Sequence, residues 1–192
     1  MGYPTIEEAE ILLKEAAEMN PGEWVEHNKV AALCANIIAG NCPGMDEQKA
    51  YVFGLLHDIG RRFGVSDLKH TINGYNFMLE KGYTDSARIC LTHSFPYKDI
   101  RSYNGQNDCS SEEASFLQNY INTVEYDDYD KLIQLCDAMS YPSGPCAMEK
   151  RLVEVVMRRG FNELTIPKWT EYLKNKNYFE EKIKCNLEEL FK

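Results

Sequence analysis

The chain contains only four histidines, His27, His57, His70 and His93, each on a stretch with helical spacing. His27 precedes Val30 by three residues and Cys34 by seven, so the three share one helix face. His70 precedes Gly74 by four and Phe77 by seven, and His93 follows Ile89 by four. His57 closes the apolar run "YVFGLLHDIG", with Asp58 directly after it. Asp137 follows Ile133 by four in "LIQLCDAMS". A single inward histidine is more often a hydrogen-bonded core residue than a ligand, and a single inward aspartate can be a cap. Six such groups are harder to place that way. Burying each costs about 1–3 kcal/mol unless it is paired, and an ionised carboxylate costs more. One shared metal centre would satisfy all six, and imidazole nitrogens with carboxylate oxygens suit Mn, Fe, Co, Ni and Zn.

The elements that must position these residues read as helices throughout. Thr5 with Glu8 and Ser110 with Glu113 form capping boxes, and Asp46 stands before a third helical run. Ser66 is expected to cap the helix that carries His70, with Gly82 ending it. Further helices run from Thr84 towards Pro96 and over "YDKLIQLCDAMS". Beyond Cys146 two or three more are expected, with breaks near Gly160, before Pro167 and around Asn175–Asn177. No stretch alternates as a strand would, and "LTIPKW" is interrupted by Pro167. The expectation is an all-α fold of about nine helices. Its longest irregular stretch is residues 96–109, and loops of that length are often functional. Gly74 would let another helix approach closely beside His70.

The composition narrows the function classes. A chain of 192 residues suits one compact domain, or one domain with a small terminal extension. A net charge of −9 repels nucleic-acid polymers and anionic membranes, while a small anion held in a local pocket remains compatible with it. Seven cysteines, an odd number with no CxxC spacing, fit a reducing cytosol better than a disulfide framework. The first twenty residues lack a basic segment followed by an apolar run, and Ile6 stands where myristoylation wants Ser or Thr. The expected location is cytoplasmic. Dinucleotide-binding, P-loop, zinc-cluster and GxSxG patterns are missing.

The order His27, His57-Asp58, Asp137, with an apolar run into "HDIG" and a later "DA", resembles the HD superfamily of metal-dependent phosphohydrolases. His70 and His93 match the wider H–HD–H–H–D pattern of its two-metal members. The resemblance covers about residues 20–145 and implies an HD-type helical bundle with the metal held between helices. It divides the chain into a hydrolase domain over 1–145 and a helical extension over 146–192. It departs from many members in having Arg61 after "HDIG", and "INGYN" is only an echo of the GYP signature.

What the resemblance implies for chemistry is specific. His27, His57, Asp58 and Asp137 would bind a first divalent ion, His70 and His93 a second, with Asp58 between them. Iron or manganese would suit the site, with Ni, Co, Zn or Mg as alternatives. A pair of such ions about 3.5–4 Å apart supplies a hydroxide nucleophile at neutral pH and clamps a phosphoryl group. His70 and His93 could instead touch substrate beside one metal. Arg61, three residues after Asp58, has a planar fork suited to a phosphate oxyanion. Arg62, Lys98 and Arg101 are further candidate substrate contacts, and Tyr97, Tyr103 and Tyr141 candidate stacking or hydrogen-bonding groups. The substrate expected is a small phosphate ester or anhydride of nucleotide type. Diiron oxygenases of the same superfamily use the same six ligands, so an oxygenase is the alternative, and a non-catalytic binding module is the third reading. Trp169, Tyr172 and Phe179 could either cover the site or build a homodimer contact.

Overall fold

The computed structural model describes residues 2–191. Nine α-helices account for most of them: α1 (Ile6–Met19), α2 (Trp24–Gly40), α3 (Glu47–Leu56), α4 (Lys69–Glu80), α5 (Thr84–Thr92), α6 (Ser111–Thr123), α7 (Asp128–Asp137), α8 (Met148–Arg159) and α9 (Thr165–Ile183). Short 3₁₀ turns cover Ile59–Phe63, Ile100–Ser102 and Leu187–Phe191. The expected all-α class is therefore found. The exception is a two-residue antiparallel ladder, β1 (Ser140–Tyr141) with β2 (Gly144–Pro145), pairing Ser140 with Pro145. It is too short to leave an alternating pattern in the sequence.

Helix α2 is the centre of the bundle. Its small residues Ala31, Ala32, Cys34, Ala35 and Ala39 are all buried, so neighbours pack against more than one of its faces. Helix α3 comes so close that a Cβ on Gly54 would sit 2.6 Å from the Ala32 Cα. Met148 and Leu152 of α8, Tyr172 and Phe179 of α9, and Leu187 join the same buried cluster as α2 and α7. Tyr172 and Phe179 thus pack inside their own chain.

Local chemistry explains where the helices start. The capping boxes of Thr5–Glu8 and Ser110–Glu113 form, and the Asp46 carboxylate accepts from the Gln48 and Lys49 N–H groups. Ser66 does not cap α4. Asp108, from the long loop, takes that place across space, accepting from the N–H groups of Asp67 at 2.8 Å and Lys69 at 2.7 Å. Pro167 lies in the first turn of α9, where its missing N–H is no loss. No break occurs at Asn175–Asn177, because buried Asn175 donates to Gln134 Oε1 at 3.0 Å and ties α9 to α7.

The closest backbone approach lies beside the expected site. Gly60, in the turn after α3, lies against α4 at Gly74, and a Cβ on Gly60 would overlap the His70 carbonyl oxygen and the Gly74 backbone. Gly74 in turn meets Cys90 Sγ of α5, 3.0 Å from where its own Cβ would be. Gly60→Ala should therefore destabilise by about 2–3 kcal/mol, since backbone on both sides cannot yield. Gly82→Ala, at φ +82° with open space around it, should cost only about 1 kcal/mol. Urea denaturation midpoints of the two variants test this order.

Candidate metal centre

The four histidines lie at helix ends and are anchored in one way. His27, in the first turn of α2, donates from Nδ1 to the Ser140 carbonyl at 3.1 Å, so the β1 segment sets its orientation. His57, the residue after α3, donates from Nδ1 to the Gly54 carbonyl at 2.7 Å. His70, in the first turn of α4, turns Nδ1 to the Asp67 carbonyl. His93, the residue after α5, turns Nδ1 to the carbonyls of Cys90 at 3.0 Å and Ile89 at 3.2 Å. A carbonyl accepts only, so each Nδ1 carries a proton, and in a neutral ring Nε2 is then left with a bare lone pair.

Those lone pairs converge. His27 and His57 bring their Nε2 atoms within 3.3 Å, and His70 and His93 do the same. Burial pushes the His57 pKa down to about 4 and lowers that of His70, so both rings are neutral at pH 7. Two lone pairs at this distance repel unless a cation lies between them. The carboxylates add to the convergence. Asp137 Oδ1 is 3.0 Å from His27 Nε2 and 4.0 Å from His57 Nε2. Asp58 Oδ1 is 2.8 Å from His70 Nε2 and 3.4 Å from His93 Nε2. Buried Asp58 Oδ1 has no hydrogen-bond donor. Burial opposes ionisation of Asp58, but the Arg61 guanidinium outweighs it and holds the carboxyl well below the usual carboxylate range.

The ligand atoms fall into three overlapping sets that could each hold an ion: His27, His57 and Asp58; Asp58, His70 and His93; and His57, His93 and Asp137. Asp58 belongs to the first two. The donor chemistry thus fits divalent metal, and the three sets together contain all six residues that the sequence pattern singles out.

Arg61 meets this centre directly. Its Nε donates to Asp58 Oδ2 at 2.5 Å and its Nη1 to the Ser66 carbonyl at 3.2 Å. It lines a cavity of about 550 Å³ that opens onto His27, Asp58, His93 and Asp137. Tyr103 and Tyr141 line the same cavity, whereas Tyr97 does not. The other expected substrate contacts are elsewhere. Arg62 lies over the Phe77 ring at 4.0 Å, with Nη2 on the Met19 sulfur. Lys98 donates to the Val124 carbonyl at 2.5 Å and stands over Tyr126. Arg101 forks onto Asp99. None of the three lines the cavity, because each already has a local partner.

Sequence reasoning missed the far wall of the cavity. Arg151, Glu154, Arg158 and Arg159 of α8 line it, together with Lys168 and Tyr172 of α9. The basic spacing in "EKRLVEVVMRR" was visible, but nothing in it indicated that this face turns towards the histidines. Lys168 carried no signal, since its burial depends on where α9 lands.

A family model of the HDOD domain, an HD-related domain, matches residues 10–89. That segment carries His27, His57, Asp58 and His70 and stops before His93 and Asp137. Comparison with curated proteins and with solved structures gives no match. Among the described residues no helix is long and apolar enough to cross a membrane.

Elemental analysis of protein purified without chelator should find close to two divalent ions per chain, iron or manganese first. His70→Ala should lower the count by about one and leave the far-ultraviolet circular dichroism unchanged. Retention of both ions in that variant would remove His70 from the ligand set.

Proposed function

We propose that the protein is a metal-dependent phosphohydrolase acting on a small phosphate ester or anhydride of nucleotide size. The observation that carries this reading is the convergence of four histidine Nε2 atoms and two carboxylates beside one cavity, with the Arg61 guanidinium next to them. The match of residues 10–89 to the HDOD domain, which is related to HD phosphohydrolases, supports it.

In this reading His27, His57, Asp58 and Asp137 would hold one divalent ion, and His70 and His93, with Asp58, would hold a second. Bound there, such ions supply Lewis acidity towards a phosphoryl oxygen and a nucleophile at neutral pH. The chain's own residues do the rest. The backbone carbonyls of Gly54, Asp67, Cys90 and Ser140 fix the four imidazole tautomers. Arg61 has two tasks. Through Nε it orients Asp58, and the guanidinium edge facing the cavity binds a non-bridging phosphoryl oxygen and the charge that grows on it. Tyr103 and Tyr141 offer aromatic faces and hydroxyls to the organic part of the substrate. Residues 1–145 act as the hydrolase domain, and 146–192 close the cavity over it.

The test is phosphate release from nucleoside monophosphates, a nucleoside diphosphate and bis(p-nitrophenyl) phosphate by the manganese- or iron-loaded protein. Hydrolysis of at least one is expected. Arg61→Gln should lower kcat/KM by about 10²–10³, and Arg61→Lys, which keeps the charge without the fork, by less. No release from any of them, or oxygen uptake coupled to turnover, would overturn the reading in favour of an oxygenase or a binding module.

A further inference from the structure

The part of the cavity wall that α8 and α9 form carries four basic residues, Arg151, Arg158, Arg159 and Lys168, in a chain whose net charge is −9. Three features make it more than a solvated helix face. Lys168 is buried, yet its ammonium has only neutral acceptors, the Ser102 carbonyl at 3.1 Å and Asn104 Oδ1 at 3.2 Å. An ammonium carries three N–H donors, so one is left for the cavity it lines. Arg151 and Arg158 are two turns apart on α8 and both grip the carboxylate between them: Arg151 Nη1 meets Glu154 Oε2 at 2.6 Å, and Arg158 Nε meets Glu154 Oε1 at 2.9 Å. Glu154 thereby holds two guanidinium groups in place and neutralises only one of them. Arg151 also stands 5.1 Å from the centre of the Tyr141 ring, which further limits its motion.

Among the four side chains Lys168, Arg151, Arg158 and Glu154 there is an excess of two positive charges. Arg159, beside them, is matched by Asp67 at 3.3 Å. Two excess charges, two planar forks and one ammonium match a phosphate dianion. Arg61, His27, Asp58, His93 and Asp137 line the same cavity.

We propose that Arg151, Arg158 and Lys168 form a second phosphate subsite, so that the substrate is a small molecule carrying two phosphate groups. One group faces Arg61 and the candidate metal centre, and the other is held by α8 and α9. This deepens the phosphohydrolase reading and rests on it for the first group only.

Phosphonates test it, because their C–P bonds survive a hydrolase. Calorimetric affinities of the protein as purified are measured for hexylphosphonate against 1,6-hexanediphosphonate, and for butylphosphonate against 1,4-butanediphosphonate. At least one diphosphonate should bind about tenfold more tightly than its partner, equivalent to about 1.4 kcal/mol. That ratio should fall towards one in Arg151→Gln/Arg158→Gln and in Lys168→Gln. The first variant changes partly exposed side chains, so it keeps the test valid if loss of Lys168 disturbs the Ser102 and Asn104 contacts. Ratios near one in the unaltered protein, or ratios preserved in both variants, overturn the proposal. A normal diphosphonate preference with no hydrolysis of the matching bisphosphate esters would support the subsite and remove the hydrolase reading.

Discussion

Four imidazole rings, each fixed through Nδ1 to a main-chain carbonyl, set the terms for the rest of this structure. The bonds leave the Nε2 lone pairs pointing at one another at 3.3 Å in two pairs, with two aspartate oxygens among them. Neutral imidazoles anchored in this way and ionised carboxylates are acceptors alone, and acceptors cannot satisfy one another by hydrogen bonding. Burial keeps His57 and His70 unprotonated, while Arg61 counters the cost of an ionised Asp58. The bundle around it must be stable enough to hold unfavourable contacts in place. Its close helix packing at Ala32–Gly54 and at Gly60–Gly74 meets that need.

The location of the ligands follows from helix physics. The last carbonyls of a helix have no intrahelical donor. His57 satisfies that of Gly54 near the end of α3, and His93 that of Cys90 near the end of α5. A histidine just past a helix end therefore completes the helix with one nitrogen and offers the other to the site. This explains why an apolar run ends in His57-Asp58. The run buries α3 against α2, the histidine closes it, and the aspartate starts a tight turn that Gly60 lets press against α4.

That logic made the ligand half of the cavity legible from sequence. Inward spacing identified His27, His70, His93 and Asp137, because their faces were marked by neighbours three, four and seven residues away. Gly74 was legible as a close-contact residue for the same reason. Features that depend on distant chain segments were not legible. Asp108 displaced Ser66 as the cap of α4 from 39 residues beyond Lys69. The amide of Asn175 found Gln134 and removed a break that local propensity favoured. Arg62, Lys98 and Arg101 had the right charge and the right neighbourhood in sequence, but a ring, a carbonyl or a carboxylate reached each of them first. Lys168 is the converse: an unremarkable lysine in sequence that α9 delivers into the cavity wall.

The two sides of the cavity are thus encoded differently. Most ligand residues fall within the segment that matches the HDOD domain, whereas the cationic wall lies wholly beyond it, on α8 and α9. On the first side each histidine joins a carbonyl anchor to an inward nitrogen; the cationic side is built on helices whose apolar faces secure them to the core through Leu152, Tyr172 and Phe179. An anionic substrate of the kind proposed is compatible with an acidic chain. The surface charge acts at long range and is screened within about 10 Å at ordinary salt, whereas Arg61, Arg151, Arg158 and Lys168 act at contact distance inside a cavity with low-dielectric walls, where their fields are strongest.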